Sequence, residues 1–154
     1  MHINQSILIN AAPEKIWDFV ADPERVKQWN PKLKSYREFF NGTLGRGSHY
    51  EVAYEMGGSL REFTVEVMHY QKPRRLQLMY CEKHLKEKNW QRRVTEEYTL
   101  NPKDNGTELV QDIVIQNSGI PAAWGWLINF LFWFGKPTAP QYLQQLKKLI
   151  EGGQ

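Results

Sequence analysis

Ala12-Pro13-Glu14-Lys15-Ile16-Trp17-Asp18-Phe19-Val20-Ala21-Asp22-Pro23-Glu24 is the stretch that decides the architecture. Pro13 suits the first position of a helix, where its missing N–H removes no bond, and Glu14 puts a negative charge in the first turn. Ile16, Phe19 and Val20 fall at helical spacing and make a short amphipathic helix. Asp22-Pro23-Glu24 repeats the signal. Asp22 caps the free N–H groups and Pro23 opens a second short helix carrying Val26 and Trp29, until Asn30-Pro31 stops it.

Working outward, Ile3, Ile7 and Ile9 alternate with Asn4, Ser6 and Asn10 in the pattern of a strand with one buried face. After the helices, period two persists from Leu33 to Gln116. The segments are divided by Asn41-Gly42, Gly45-Arg46-Gly47, Gly57-Gly58, Lys72-Pro73, residues 86–89 and Asp104-Asn105-Gly106. Tyr50, Val52, Tyr54 and Met56 alternate with His49, Glu51, Ala53 and Glu55, and Phe63, Val65 and Val67 with Glu62, Thr64 and Glu66. Each segment has one wet and one buried face, the mark of an antiparallel meander. Six strands here and one before the helices make seven.

Residues 120–135 hold three Trp, three Phe, two Ile and two Leu, with Asn129 the one strongly polar residue. Bounded by Gly119 and Gly135-Lys136-Pro137, the stretch is shorter than the about 20 residues of a spanning helix. A buried or interfacial helix is expected. Thr138-Ala139-Pro140-Gln141 has the form of a capping box and starts a last helix with Tyr142, Leu143, Leu146, Leu149 and Ile150 on one side, ended by Gly152.

The chain of 154 residues has the length of one domain, expected over 1–154. Its 41% hydrophobic and 24% charged residues exclude a disordered tail and a multi-span membrane protein. A net charge of +3 without a polybasic run argues against nucleic acid as a partner. One Cys excludes an internal disulfide, and an N-terminus without a cationic, then apolar, start points to the cytoplasm. The departure from average is aromatic: 6 Trp, 7 Tyr and 7 Phe.

Strand, two short helices, six antiparallel strands and a long C-terminal helix form an α+β plan whose sheet curls around that helix. With the segments 12–24 and Gln28-Trp29-Asn30-Pro31, the chain resembles the START-like (SRPBCC) superfamily, and within it the small bacterial polyketide cyclase/dehydrase-like proteins. The resemblance implies the helix-grip fold, with a cavity between sheet and C-terminal helix that holds a hydrophobic small molecule or lipid.

Candidate functional residues are polar groups on the apolar parity of a strand. Glu82 and His84 continue the face of Leu76, Leu78 and Tyr80; Arg92 and Glu96 interleave with Trp90, Val94, Tyr98 and Leu100. Hairpin pairing sets Glu82 and His84 opposite Trp90 and Arg92, and Glu82 with Arg92 is the expected ion pair. One reading is a polar anchor in an apolar pocket; the other is a solvent-exposed hairpin end. His69, on the Phe63, Val65, Val67 face, carries the same ambiguity.

The expected ligand walls are Tyr50, Tyr54, Phe63, Val65, Tyr80, Val94 and Tyr98 on the sheet, Trp29 as a lid, and Trp124, Leu127 and Leu131 on the apolar helix. Arg92 with Glu82 or Glu96 would orient the ligand. A cyclase or dehydratase, the alternative the family label suggests, would use Glu96 or His84 as base and Arg92 or Tyr98 to stabilise an enolate. The histidines and Cys81 show no metal-ligand spacing and no nucleotide or acyl-enzyme motif occurs, so no metal and no cofactor is expected. Trp126, Phe130 and Trp133 form a second stripe. Packing beneath the short helices accounts for it; a membrane surface or a second copy of the chain is the functional alternative.

Overall fold

The computed structural model describes residues 2–38, 43–56, 58–83, 93–116 and 141–153. The first strand, β1 (His2–Ile9), turns its odd-numbered residues inward and ends on the fully buried Ile9. The helix pair follows where the two prolines place it, as α1 (Pro13–Ala21) and α2 (Pro23–Trp29). The Asp22 carboxylate accepts a hydrogen bond from the Glu24 backbone N–H at 2.9 Å, which caps α2. In α1 the buried side extends to Trp17 besides Ile16 and Val20, while Phe19 is half-buried beneath the Arg25 guanidinium, 5.1 Å from the ring centre.

Six strands follow: β2 (Leu33–Glu38), β3 (His49–Met56), β4 (Ser59–Gln71), β5 (Arg75–Glu82), β6 (Arg93–Lys103) and β7 (Gly106–Gln116). With β1 they form one antiparallel sheet in the order β1-β7-β6-β5-β4-β3-β2, which does not close. The chain leaves one edge at Ile9 and rejoins the other at Leu33. Six strand spacings of about 4.8 Å would separate those edges by roughly 29 Å if the sheet were flat. Curling allows the two short helices to bridge them, with α2 against β2 and α1 against β6. The last helix, α3 (Gln141–Gly152), lies against β1, α1 and α2. This is the expected seven-stranded helix-grip plan. The Thr138 part of the capping box and the 120–135 helix lie outside the described residues.

Because paired residues share a face, the register defines the inner wall in rows. Ile7, Leu109 and Leu100 form one row, and Gln5, Gln111, Tyr98, Leu76 and Tyr70 the next. Ile113, Glu96, Leu78 and Val67 follow, then Ile115, Val94, Tyr80, Val65 and Tyr50. The tight core sits at the Ile9 end, where Leu109, Ile16, Trp17, Leu143 and Leu146 belong to one buried cluster. Leu149, expected on the buried side of the last helix, is 38% exposed at its rim.

A β-bulge between Val67 and His69 corrects the parity expected for His69. The extra residue puts His69 opposite Gln77 on the outer face and brings Tyr70 inward, where its ring meets Trp17 edge-on at 5.2 Å.

The β6–β7 turn is pressed against the end of β1. Gly106 has φ +134°, and a Cβ there would stand 2.2 Å from the Ile9 carbonyl oxygen. The next residue, Thr107, is fully buried and donates its hydroxyl to the Ala11 carbonyl at 2.8 Å, fixing the approach to α1. Gly106→Ala is therefore expected to lower stability by about 2 kcal/mol or more, combining an unfavourable φ with a backbone clash. Urea denaturation of the purified variant measures this; a loss below about 0.5 kcal/mol would contradict the close approach.

Candidate ligand-binding cavity

Away from the tight core, a cavity of about 70 Å³ lies over the inner rows of the sheet. Its sheet wall runs from Tyr50, Val52, Tyr54 and Phe63 through Leu78, Tyr80 and Val94 to Ile113 and Ile115. Val20, Ala21, Pro23, Val26 and Asn30 close it from the helix pair, and Tyr142 from α3. Three residues of the central rows, Glu96, Tyr98 and Gln111, bring polar groups into this apolar surround.

Those polar groups form one connected cluster. The Tyr80 hydroxyl donates to Glu96 Oε2 and the Tyr98 hydroxyl to Glu96 Oε1, both at 2.6 Å. Gln111 Nε2 donates to Glu96 Oε1 and lies 3.2 Å from the Tyr98 oxygen. The Tyr142 hydroxyl donates to Gln111 Oε1 at 2.6 Å. The Gln111 amide is thereby oriented from both ends, nitrogen to a carboxylate and oxygen to a phenol. A carboxylate offers about four acceptor sites and donors among the described residues take three, which leaves one for a ligand donor. Glu96 makes no ion pair with any described residue.

Burial, reinforced by the Glu96 charge, raises the phenols of Tyr50, Tyr54, Tyr80, Tyr98 and Tyr142 above their ordinary range. For Tyr50 the neighbouring Tyr54 contributes more than Glu96 does. All five are therefore held as neutral hydroxyls. The rings of Tyr54, Phe63 and Tyr80 pack edge to face with centroids 6.1 to 6.5 Å apart, giving a stiff aromatic corner beside Glu96.

Of the residues singled out from the sequence, Tyr50, Tyr54, Phe63, Tyr80, Val94, Glu96 and Tyr98 line the cavity. Two others lie behind it. Val65 is fully buried in the core, and Trp29, expected as a lid, is a fixed core residue. The Trp29 indole N–H donates to the Phe19 carbonyl at 2.9 Å and its ring stacks on Tyr142 at 6.0 Å. Glu82 pairs with Arg61, at 2.9 Å, and the expected pairing with Arg92 falls on a residue outside the described ones. Arg61 precedes Phe63 by two residues and Phe63 faces Glu82, so the two charges meet diagonally on the inner face. Arg92, His84, Trp124, Leu127 and Leu131 lie outside the described residues, as do Trp126, Phe130 and Trp133.

Gln111, Tyr142 and Asn30 join the cavity without having been singled out. Gln111 carried the same signal as Glu96, a polar residue on the apolar parity of Leu109, Ile113 and Ile115. Tyr142 read as an ordinary core residue of an amphipathic helix, and Asn30 as a helix stop. Burial also raises the Cys81 thiol, which makes a nucleophilic thiolate unfavourable there.

A family model described as polyketide cyclase/dehydrase and lipid transport matches residues 1–151. The chain belongs to this family. No curated protein matches the sequence. Among solved structures, this polyketide cyclase/dehydrase and lipid transport family member is similar to protein MLL2253 from Mesorhizobium loti, with 18% identity, a TM-score of 0.70 and coverage of 100% and 99% of the two chains. It is also similar to TTHA0849 from Thermus thermophilus, at 15% identity and TM-score 0.70 over 99% of each chain. The structure of Ara h 8.0201 matches at 11% identity and TM-score 0.70, over 99% of this chain and 98% of that one. At these identities the likeness is one of fold. Among the described residues, no helix is long and apolar enough to cross a membrane.

The raised phenols set the alkaline limit of the fold. In the unfolded chain each phenol titrates near 10, so above that pH the unfolded state loses protons first and stability falls; below it this contribution is intact. The loss reaches about 1.4 kcal/mol per pH unit for each tyrosine, or roughly 7 for five. Tyrosinate absorbance from these residues should therefore appear together with cooperative unfolding above about pH 10. A smooth titration of all the tyrosines with the fold retained would refute their burial. Tyr142→Phe leaves Gln111 Oε1 without that donor and is expected to cost about 1–3 kcal/mol in urea denaturation.

Proposed function

We propose that this family member binds a hydrophobic small molecule non-covalently in the cavity, held by apolar walls and oriented by the Glu96 cluster. The observation that carries the reading is the pairing of a mostly apolar wall with one connected polar group whose carboxylate keeps an acceptor site open. Such a site gains affinity from burying apolar surface and orientation from a few placed polar atoms. Sequestration or carriage of the molecule follows from binding of this kind, and a lipid is one candidate for the hydrophobic occupant.

A general acid-base enzyme of the cyclase or dehydratase type is the second reading. Its support is the 2.6 Å contact of Glu96 with Tyr98, a carboxylate beside a phenol held protonated. The binding reading is preferred because the Tyr80 and Tyr98 hydroxyls, the neutral donors beside Glu96, already donate to its carboxylate and so do not offer their protons to a developing enolate oxygen. The other acid-base candidates, His84 and Arg92, lie outside the described residues.

The test uses 4-phenylbutanol, an apolar ring and chain with one donor. With ligand at about 100 times its dissociation constant, stabilisation of about 2.7 kcal/mol should raise the melting temperature by roughly 5–10 °C. Val94→Phe, which fills part of the cavity, should melt cooperatively and lose that shift. Absence of a shift with this and other apolar ligands would overturn the proposal. Recovery of each ligand chemically unchanged after incubation distinguishes binding from turnover.

A further inference from the structure

The cavity is apolar, but its charge is one-sided. Glu96 is the one charged side chain among the described lining residues; the other polar groups are the amides of Asn30 and Gln111 and five tyrosine hydroxyls. Among the described residues, the inward-facing Arg61 is engaged with Glu82 at 2.9 Å and is not among the lining residues. Three neutral donors occupy three of the acceptor sites of Glu96, and no described residue compensates its net charge in this partly dehydrated place, where like charges repel and opposite charges attract more strongly than in water. From this we infer that the ligand is a lipophilic cation, an apolar molecule carrying a protonated amine. The inference rests on the binding function proposed above and names the ligand class for that site.

An ammonium group fills the remaining acceptor site of Glu96 with an N–H donor and neutralises the carboxylate in the same contact. An alcohol does the first without the second. A carboxylate ligand does neither, because the phenols around it are held neutral and offer hydrogen bonds but no positive charge. The aromatic corner favours the same choice. Tyr80 links the two features, since its hydroxyl bonds Glu96 while its ring packs with Tyr54 and Phe63. The negative faces of such rings attract ammonium groups and repel carboxylates.

The experiment compares three molecules that differ only in the head group: 4-phenylbutylamine, 4-phenylbutanol and 4-phenylbutyrate. Dissociation constants are measured at neutral pH by calorimetry on the full chain and on Glu96→Gln, whose cooperative thermal melt is checked first. The wild type should bind the amine at least about tenfold more tightly than the alcohol, and the carboxylate more weakly than either. In Glu96→Gln the amine should fall to within about threefold of the alcohol, while alcohol binding persists. A carboxylate that binds as tightly as the amine, equal binding of amine and alcohol by the wild type, or an amine preference that survives in Glu96→Gln would overturn the inference. In each of those cases the cavity still binds ligand and the proposed function stands. Binding of none of the three would overturn both.

Discussion

The indole of Trp29 ties the folded chain together. Its N–H holds the Phe19 carbonyl at the end of α1, its position ends α2, and its face stacks on Tyr142 of α3. One buried side chain therefore joins all three described helices. The same contact sets the functional geometry, because Tyr142 points its hydroxyl at Gln111, and Gln111 in turn holds Glu96. Polar bonds along the rim reinforce this placement of α3: Lys15 reaches the Ile150 carbonyl at 3.0 Å and Lys147 the Leu8 carbonyl at 2.8 Å. Exposed bonds of this kind add little energy. The apolar surface of Leu143, Leu146 and Ile150 supplies most of the attraction, and the polar bonds fix where it is delivered.

Among the described elements, the inner face of the sheet is longer than the helices that pack on it. β4, β6 and β7 run for 13, 11 and 11 residues, whereas α1 and α2 have 9 and 7. Among the described residues, the helices pack on the Ile9 end of the sheet and the central rows face the cavity. Aromatic side chains suit such a place, since they extend apolar area from a strand and hold their shape by edge-to-face packing. Partly dehydrating Glu96 there is costly, and a charge with no counter-ion among the described residues is weak evidence for stability. The carboxylate is better understood as a group kept for what it recognises.

Particular residues show how far the sequence could be read. Glu96 stood out because strand parity is a strict rule and a carboxylate on an apolar face breaks it. Gln111 broke the same rule less visibly, as an uncharged residue among Leu and Ile. His69 was misplaced because a one-residue bulge reverses parity and leaves no mark in the local pattern. Glu82 was assigned to the strand that follows it. Its partner Arg61 instead lies on the strand before, two positions from the directly opposed Phe63, and a diagonal contact depends on side-chain reach and sheet twist.

By itself the sequence determined the order of the described elements and the inward face of each strand, except beyond the bulge in β4. Those follow from interactions within a few residues: Pro13 and Pro23 at helix starts, Asp22 as a cap, glycine turns, and alternation with period two. Tertiary structure decided which inward residues meet a helix and which meet space, making Trp29 a core residue and Tyr142 part of the cavity wall. It also gathered Tyr80, Glu96, Tyr98, Gln111 and Tyr142 from four elements into one hydrogen-bonded cluster. Those outcomes depend on the curl of the sheet and on where α3 lands against it. Both are set by packing between residues far apart in the chain, and local periodicity carries no record of that.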